Sequence, residues 1–410
     1  MAALEEMVKP ATLIVAEILR ADGYRERTLT LPVMMGLVLA MIWRQVGSVR
    51  EAVRIVQHEV VLWLPKQKLT PQALNLRMRV MPESAFRQVL EDVLPKMQAR
   101  WEARTRPIPE AIAWAQKQFS EVLICDGSTL DALIRKVGLL KDHKTHPLAG
   151  RMMGVLNMVS RLPVWIGYTE QETAHDQSFW REILTHVKSG ALLVFDLGFI
   201  NYARFAEMTD SGVTFITRAK TNLASQVAEV IAHTATVHDD IVWIGGKDSR
   251  QKVRLVQMLF RGTWYRYLTN ELSAERLPAE MVINIYRQRW RIEEAFNIVK
   301  SLLGLSYFYS GSQNAIKQQL WATWILYATL VDLTDAVAQA LNKPFADISM
   351  EMVYRSIRFF VSARHAGEAT DIVDFFVAEH KLFGLIKRKK KPPRLTKLAL
   401  DSDDFSLTCH

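Results

Sequence analysis

Over the first 112 or so residues, hydrophobic positions recur at three- and four-residue spacing, and glycine and proline are sparse. This spacing places hydrophobic side chains on one face of a helix and predicts a helical segment. Thr70, which is followed by a proline, has the form of an N-cap with proline at the first helical position. The helix predicted to begin there directs Arg77 and Arg79 outward.

Beyond the prolines at positions 107 and 109, the pattern changes to short hydrophobic runs bounded by turn residues, which are typical of strands. The predicted strands cover 122–125, 152–159, 163–168, 192–195 and 213–217. A helical pattern at 177–187 separates the third and fourth strands, and a second short helix follows Asn201. This order of strand, strand, strand, helix, strand, helix, strand predicts an α/β fold with a mixed sheet and helices on its faces.

The stretch 222–275 is again rich in strand-like patterns, at 242–244, 253–260 and 264–269, with a glycine pair as a turn. A long helix is predicted over 278–303 and a very hydrophobic one over 318–333. The remaining residues have a helical pattern and end in a basic run and an acidic tail. We therefore divide the chain into a helical N-terminal domain (1–115), an α/β core (116–335) with a β-rich insertion at about 222–275, and a helical C-terminal region (336–410).

The composition is that of an ordinary soluble globular protein, because 49% of the residues are hydrophobic and 23% are charged. The longest hydrophobic stretches, 31–43 and 320–331, fall short of the roughly 20 residues that span a bilayer, so both are predicted to be buried helices. Cys125 and Cys409 are the only cysteines, which excludes a disulfide framework and a cysteine-based zinc site. The N-terminus lacks the layout of a signal peptide, so we expect a cytoplasmic protein.

The formal net charge of +9 favours a polyanionic partner, with nucleic acid first and an anionic membrane surface second. No amphipathic membrane anchor is recognisable, so we expect no membrane partner. With Arg77 and Arg79 facing solvent or DNA, the N-terminal region is predicted to be either a helical DNA-binding domain or a helical bundle that packs on the core. An acid-free run is interpreted either as a phosphate-binding arm or as a solvated tail. It consists of Lys387, Arg388, Lys389, Lys390 and Lys391.

Two aspartates each follow a hydrophobic run. Asp126 precedes Gly-Ser-Thr, and Asp196 precedes Leu-Gly-Phe. Each is expected at the C-terminal end of a buried strand, where a side chain is held rigidly but reaches solvent. For either residue alone, a turn-forming aspartate is the more common interpretation.

The helix predicted over 278–303 aligns Tyr286, Arg289, Glu293 and Lys300 at offsets of 0, 3, 7 and 14. At about 100° per residue, these positions fall within roughly 60° of one another. Glu294 points away from this polar face, which makes Glu293 the better catalytic candidate. A solvated helix face with ordinary ion pairs is the alternative. An adjacent hydrophobic stripe would dock the helix on the sheet, and it consists of Ile292, Phe296, Val299 and Leu303.

These residues carry a resemblance. The chain resembles the bacterial insertion-sequence transposases of the "insertion sequence four" type over roughly residues 120–335. The signature of that family is Tyr, two residues, Arg, three residues, Glu, six residues, Lys, and positions 286, 289, 293 and 300 match it at every spacing. The contexts of Asp126 and Asp196 are similar to those of the first two acids of the family. The segments 217–222 and 268–270 are similar to the family as well.

The resemblance implies an RNase H-like catalytic core with an Asp-Asp-Glu triad formed by Asp126, Asp196 and Glu293. Two Mg²⁺ ions, for which Mn²⁺ can substitute, would activate the attacking oxygen and neutralise the leaving oxygen. Asp126 would bridge both ions, Asp196 would hold one and Glu293 the other.

The same resemblance implies roles on the DNA. Arg289 and Lys300 would bind phosphates, and Tyr286 would hydrogen-bond a terminal phosphate. Water would first free a 3′-hydroxyl. That hydroxyl would then attack either the opposite strand, giving a hairpin, or target DNA. An insertion tryptophan, Trp264 or Trp243, would stabilise a flipped base unless it is simply a core aromatic.

The expected partners are double-stranded DNA with terminal inverted repeats, target DNA, and a second copy in a homodimer on paired ends, with the contact sought at about 335–380. Two rival hypotheses remain, a stand-alone nuclease and a catalytically inactive protein that binds element ends. His143 and His146 are interpreted as a surface loop and not a zinc site. Ser128 has no evident histidine partner, so serine hydrolysis is not expected.

Overall fold

The computed structural model describes residues 4–25, 28–130, 150–171, 176–199, 201–247, 250–305 and 308–388. As predicted, the N-terminal region is helical. After a π-helical turn (Leu4–Val8) come α1 (Lys9–Ala21), α2 (Leu31–Trp43), α3 (Val49–His58), α4 (Pro71–Val80), α5 (Glu83–Glu102) and α6 (Glu110–Gln118). Thr70 caps α4 as expected, because its hydroxyl accepts a hydrogen bond of 3.2 Å from the backbone amide of Ala73.

The two arginines of α4 have different surroundings. Arg79 is exposed, but Arg77 donates from Nε to the Leu29 carbonyl at 2.7 Å and from Nη1 to the Tyr24 hydroxyl at 3.0 Å. The expectation that Arg77 faces solvent or DNA is therefore wrong. Its guanidinium finds acceptors in the segment between α1 and α2 and ties α4 to it.

A nine-stranded sheet lies at the centre of the described chain, in the order β3-β2-β1-β4-β5-β9-β8-β7-β6. Its strands are β1 (Val122–Leu130), β2 (Gly150–Asn157), β3 (Pro163–Thr169), β4 (Leu192–Phe195), β5 (Thr214–Arg218), β6 (Ser225–His233), β7 (Val237–Ile244), β8 (Gln251–Phe260) and β9 (Thr263–Thr269). β4 runs parallel to β1, and β5 runs parallel to β4, whereas the other neighbours pair antiparallel. Helix α7 (Trp180–Thr185) precedes β4 and α8 (Tyr202–Asp210) precedes β5. The predicted mixed α/β arrangement and its element order are confirmed.

The strands within 222–275 continue the central sheet, because β9 pairs antiparallel with β5 from Ile216↔Thr269 to Arg218↔Tyr267. The positions of β7, β8 and β9 agree with the predicted strands. β6 was not predicted, because it is exposed along nearly its whole length and lacks the hydrophobic pattern of a buried strand.

Hydrophobic side chains on the two faces of the sheet enter two different cores. Val194 and Ile216 belong to a core shared with the N-terminal helices and with the helices that follow the sheet. Phe195 and Phe215 belong to a second core with α7 and α8. The central strands are therefore buried on both faces, which explains why they are continuous hydrophobic runs in the sequence.

The long helix predicted over 278–303 consists of α9 (Ala279–Arg287), α10 (Trp290–Asn297) and a π-helical turn (Ile298–Leu302), with an interruption at 288–289. The following helices are α11 (Gln313–Ala340), α12 (Met350–His365) and α13 (Ile372–Ala378). α11 extends beyond the predicted 318–333 at both ends, and arginines between α5 and α6 compensate two acids in its C-terminal half. Arg104 lies 2.8 Å from Asp332, and Arg106 lies 2.7 Å from Asp335. None of the helices described is long and apolar enough to cross a membrane.

Candidate active site

Asp126 and Asp196 lie at the same level along two neighbouring parallel strands. Cys125 of β1 pairs with Phe195 of β4, and the two aspartates are the next residues of their strands. Asp196 follows the end of β4, as predicted. Asp126 does not end its strand, since β1 continues along β2 to the pair Leu130↔Gly150. The prediction of a strand end is wrong for Asp126 in this respect, although the parallel pairing and the fully buried part of β1 both stop at Cys125.

Helix α9 places Tyr286 against the second aspartate. The Tyr286 hydroxyl donates a hydrogen bond of 3.0 Å to Oδ1 of Asp196, and its ring lies 4.9 Å from that of Tyr267 on β9. Burial, followed by the nearby Asp196 carboxylate, raises the pKa of Tyr286 well above its ordinary value. The phenol is therefore a neutral hydrogen-bond donor to this carboxylate.

Arg289, at the interruption between α9 and α10, lies between two of the predicted acids. Its Nη1 donates to Oδ2 of Asp126 at 3.0 Å, and its Nη2 donates to Oε1 of Glu293 at 2.6 Å. Burial by itself lowers the pKa of Arg289, but its electrostatic interactions with Tyr286 and with the acids at positions 126, 196 and 293 outweigh that effect and raise the pKa overall. The guanidinium is thus a permanent cation among three carboxylates.

Lys300, on the π-helical turn, reaches back to β1. Its Nζ donates to the Ser128 hydroxyl at 3.0 Å and to the Thr129 carbonyl at 3.3 Å. Glu294, in contrast, pairs with Arg161 at 2.7 Å and leaves the polar face to Glu293. The structure thus brings Tyr286, Arg289 and Glu293 to the two aspartates and sets Lys300 against the strand that carries Asp126. It places Glu294 elsewhere, as the helical spacing predicted.

Arg218 is a neighbour of the site that the sequence interpretation did not single out. It ends β5, is exposed, and lies over the ring of Tyr265 at 5.7 Å. Its charge acts on Tyr286 and opposes the rise in the pKa of that residue. The available signal was its position directly after the buried residues of β5, because Asp126 and Asp196 also directly follow buried runs.

Trp264 lies towards the same edge of the sheet. β9 runs antiparallel to β5, and Tyr267 pairs with the last residue of β5, so Trp264 lies beyond the end of β5 on the side of the aspartates. The indole is 38% exposed, and its ring lies 4.4 Å from that of His238. This tryptophan is therefore accessible at the edge that carries the candidate site.

Trp243 lies at the opposite edge. It pairs with Lys252 near the start of β8, and the cations of Arg250 and Lys252 lie 4.7 and 5.1 Å from its ring centre. The sequence left both tryptophans open as candidates. The direction of their strands separates them, because Trp264 lies on the side of the carboxylates and Trp243 does not.

The basic run begins at the end of the described chain. Lys387 and Arg388 are exposed, and the backbone amide of Lys387 donates to the Asp347 carbonyl at 2.7 Å. The other predicted positions of this run, Lys389, Lys390 and Lys391, lie outside the described residues, as do His143 and His146. Cys125 is buried in the hydrophobic core.

The chemistry of these side chains suits a hard divalent cation, because carboxylate oxygens are the preferred ligands of Mg²⁺. Within the described ranges, no three His, Cys, Asp or Glu side chains form a ready-made metal cluster. Arg289 instead provides the positive charge between Asp126 and Glu293. The donor set therefore fits a divalent metal, provided that Arg289 moves aside.

Three known proteins that are similar to this chain are described as transposases. The chain spans less than half the length of each curated relative considered. A putative transposase of Sinorhizobium fredii is 30% identical over 169 residues, which cover 38% of this chain and 45% of that protein. A probable insertion-sequence transposase of Geobacillus stearothermophilus is 27% identical over 166 residues, with 38% and 43% covered. A putative insertion-sequence transposase of Synechocystis is 22% identical over 161 residues, with 38% and 45% covered.

A family model described as the transposase DDE domain matches residues 119–329, which is just over half of the chain. The matched segment begins just before β1 and ends within α11. It therefore contains both aspartates, the whole sheet, and the helices α9 and α10 with the π-helical turn after them. The chain therefore belongs to the family of proteins that carry the transposase DDE domain.

Proposed function

We propose that this chain is a DNA transposase that cleaves DNA at the ends of its own element and transfers the freed strand, by cut-and-paste transposition. One observation carries the proposal. The register Cys125↔Phe195 sets Asp126 beside Asp196, and Arg289 connects Asp126 to Glu293 through contacts of 3.0 and 2.6 Å. Three carboxylates from distant parts of the chain thus share one edge of the sheet.

An RNase H-like core is part of the proposal. Strands in the order β3-β2-β1-β4-β5, with the first three antiparallel and β4 and β5 parallel to β1, support it. The carboxylates lie where the parallel strands β1 and β4 end their pairing, and ligands in open α/β sheets commonly bind at the carboxyl ends of strands.

Transposase DDE domains generally use a divalent metal, and Asp126, Asp196 and Glu293 would hold it in this chain. Two Mg²⁺ ions, or Mn²⁺ in their place, would supply an activated oxygen nucleophile and neutralise the leaving oxygen. The protein orients the carboxylates themselves, since Tyr286 fixes one oxygen of Asp196 and the Gly127 amide donates to Asp126 at 2.8 Å.

On the DNA side, Arg289 and Lys300 supply cations beside the carboxylates, and the guanidinium geometry suits a bidentate contact with phosphate. Arg218 at the end of β5 adds a third cation at the same edge. Trp264 is our candidate for stacking on a base that is flipped out of the DNA duplex. Duplex DNA with terminal inverted repeats and target DNA are the proposed substrates.

The domain roles are proposals as well. The N-terminal helices (1–115) would bind DNA, the α/β core (116–335) would carry the chemistry, and the C-terminal region (336–410) would contribute to a homodimer on paired ends. The exposed side chains of Arg79, Lys387 and Arg388 are available to a polyanion.

The test uses the full chain and a plasmid that carries the DNA flanking its gene. Cleavage at the element ends is scored with Mg²⁺, with EDTA, and with Glu293→Gln and Glu294→Gln. We expect metal-dependent cleavage that Glu293→Gln lowers by roughly a hundredfold or more, since each 1.36 kcal/mol of lost transition-state stabilisation is tenfold. Glu294→Gln is the matched control, because its carboxylate pairs with Arg161 outside the site.

Other outcomes separate the rival functions. Cleavage without preference for the ends would indicate a stand-alone nuclease. Binding to the ends without cleavage in Mg²⁺ or Mn²⁺ would indicate an inactive DNA-binding protein. An equal loss of cleavage in Glu293→Gln and Glu294→Gln would contradict the assignment of Glu293.

A further inference from the structure

The position of Arg289 bears on how the carboxylates accept a metal. Its guanidinium is buried with 8% exposure, and it contacts Asp126 at 3.0 Å and Glu293 at 2.6 Å. Its Nε is buried and has no hydrogen-bond acceptor among the residues that the structure describes. The cation therefore uses only part of its donor capacity on the two carboxylates that the proposed function gives to a metal.

A guanidinium and a divalent cation compete for such a position. Both need the same carboxylate oxygens, and an arginine stays protonated at any physiological pH. Two positive charges a few ångströms apart in a poorly hydrated site repel each other strongly. A metal that binds Asp126 and Glu293 must therefore displace the guanidinium.

A phosphate is the natural alternative acceptor for the displaced side chain. Arginine presents its donors as a planar fork that matches two phosphate oxygens. The Nε, which lacks an acceptor among the described residues, would gain one there. Phosphate would also compensate the guanidinium charge after it leaves the carboxylates.

We propose that Arg289 occupies the metal position until a DNA phosphate binds its guanidinium, so that divalent metal and DNA bind cooperatively. Arg289 is then a positioning residue that prevents metal from binding the carboxylates until a phosphate binds. Because binding linkage is reciprocal, DNA tightens metal binding by the same factor as metal tightens DNA binding. This inference rests on the proposed function, since it assumes that Asp126 and Glu293 are metal ligands.

The test measures Mn²⁺ binding to the full chain through the electron paramagnetic resonance signal of free Mn²⁺, without DNA and with an element-end duplex. Arg289→Gln keeps an amide donor but removes the charge. Arg355→Gln is the matched control, because Arg355 also forms an i,i+4 pair with a glutamate, Glu351, but on an exposed face of α12. The expected result without DNA is Mn²⁺ affinity raised on the order of tenfold by Arg289→Gln and unchanged by Arg355→Gln.

DNA supplies the second half of the test. The element-end duplex is expected to raise the Mn²⁺ affinity of the wild type and to raise that of Arg289→Gln much less. Arg289→Lys keeps a charge that cannot bridge both carboxylates, so its affinity without DNA should be intermediate. If Arg289→Gln fails to fold, as judged by its thermal unfolding in EDTA, the wild type with and without DNA and Arg289→Lys still decide the matter.

The proposal is overturned if Arg289→Gln binds Mn²⁺ no more tightly than the wild type without DNA, or if the duplex leaves the Mn²⁺ affinity of the wild type unchanged. Failure of the proposed function has a different signature. If the wild type cleaves element ends with metal but Arg289→Gln shows no gain in Mn²⁺ affinity, only this inference is wrong. If the wild type does not cleave the ends and Glu293→Gln binds Mn²⁺ as tightly as the wild type, both the proposed function and this inference are wrong.

Discussion

The hydroxyl of Tyr286 donates a hydrogen bond of 3.0 Å to the carboxylate of Asp196. The two residues lie 90 positions apart in the sequence, one on helix α9 and the other directly after β4. Burial and the adjacent carboxylate raise the pKa of Tyr286, so the phenol keeps its proton at neutral pH. The contact allows helix α9 to orient the Asp196 carboxylate of the candidate site.

Tyr286→Phe removes this contact while keeping the ring that packs against Tyr267. We expect the rate of end cleavage to fall roughly tenfold, because a hydrogen bond to a charged group contributes about 1.5–3 kcal/mol, part of which is recovered by water. The control is Tyr309→Phe, whose hydroxyl donates to the Met41 carbonyl at 2.8 Å away from the carboxylates. Equal cleavage rates in both variants would contradict a role of this contact in the reaction.

Replacing each tryptophan in turn tests which of them meets the DNA. Trp264→Ala should weaken the complex with an element-end duplex, because stacking on one base contributes about 1–3 kcal/mol. Trp243→Ala should change affinity far less, since its indole lies at the opposite edge under Arg250 and Lys252. Titration of a duplex carrying a fluorescent base analogue near the cleavage position measures both. A larger effect from Trp243→Ala would reverse the assignment.

Tyr168 predicts a pH dependence of stability. Burial, followed by the nearby Glu170, raises its pKa from 10.0 to about 12. The stability that this neutral phenol contributes is fully present below pH 10 and is lost as the pH rises towards 12, because the unfolded chain releases the proton first. Each pH unit in that window removes up to about 1.4 kcal/mol.

Tyr168→Phe should escape this loss. Its hydroxyl is buried and has no hydrogen-bond partner in the described structure, so removing it should leave the free energy of unfolding at pH 8 unchanged or higher by about 1 kcal/mol. Urea unfolding at pH 8 and pH 11 measures the difference from the wild type. A difference that does not grow at pH 11 would show that the phenol titrates normally.

The buried pair of Arg254 and Asp239 predicts a large effect on stability. Arg254 has 0% exposure. It donates to Asp239 at 2.7 Å from Nε, and its Nη1 donates to the carbonyl of Leu277, just before α9. Asp239→Asn leaves the guanidinium buried without a counter-charge and should lower the free energy of unfolding by about 3–5 kcal/mol.

The matched control for this pair is Glu351→Gln, which removes one carboxylate from an exposed pair with Arg355 and should cost less than about 1 kcal/mol. Both variants are compared with the wild type by urea unfolding at pH 7. If Asp239→Asn lowers the free energy of unfolding by no more than Glu351→Gln does, other groups in the sheet compensate the charge of Arg254.

Local patterns in the sequence determined a large part of this protein. Helical periodicity is a property of consecutive residues, so the spacing of Tyr286, Arg289, Glu293 and Lys300 was enough to place them on one face and to turn Glu294 away. The hydrophobic runs before Asp126 and Asp196 likewise located two buried strands. Composition and charge excluded a disulfide framework and pointed to a polyanionic partner.

The tertiary structure decided which of these elements meet. Pairing of β1 with β4 joins residues about 70 positions apart, and no local pattern specifies that register. The same holds for Arg77, which turns inward because acceptors from another segment are there, and for β6, whose exposed side chains carry no strand pattern. Arg289 pairs with Glu293 as an i,i+4 neighbour, but it meets Asp126 only because the sheet and the helix pack together. Contacts of this kind depend on the packing of distant segments, and for that reason a single sequence does not reveal them.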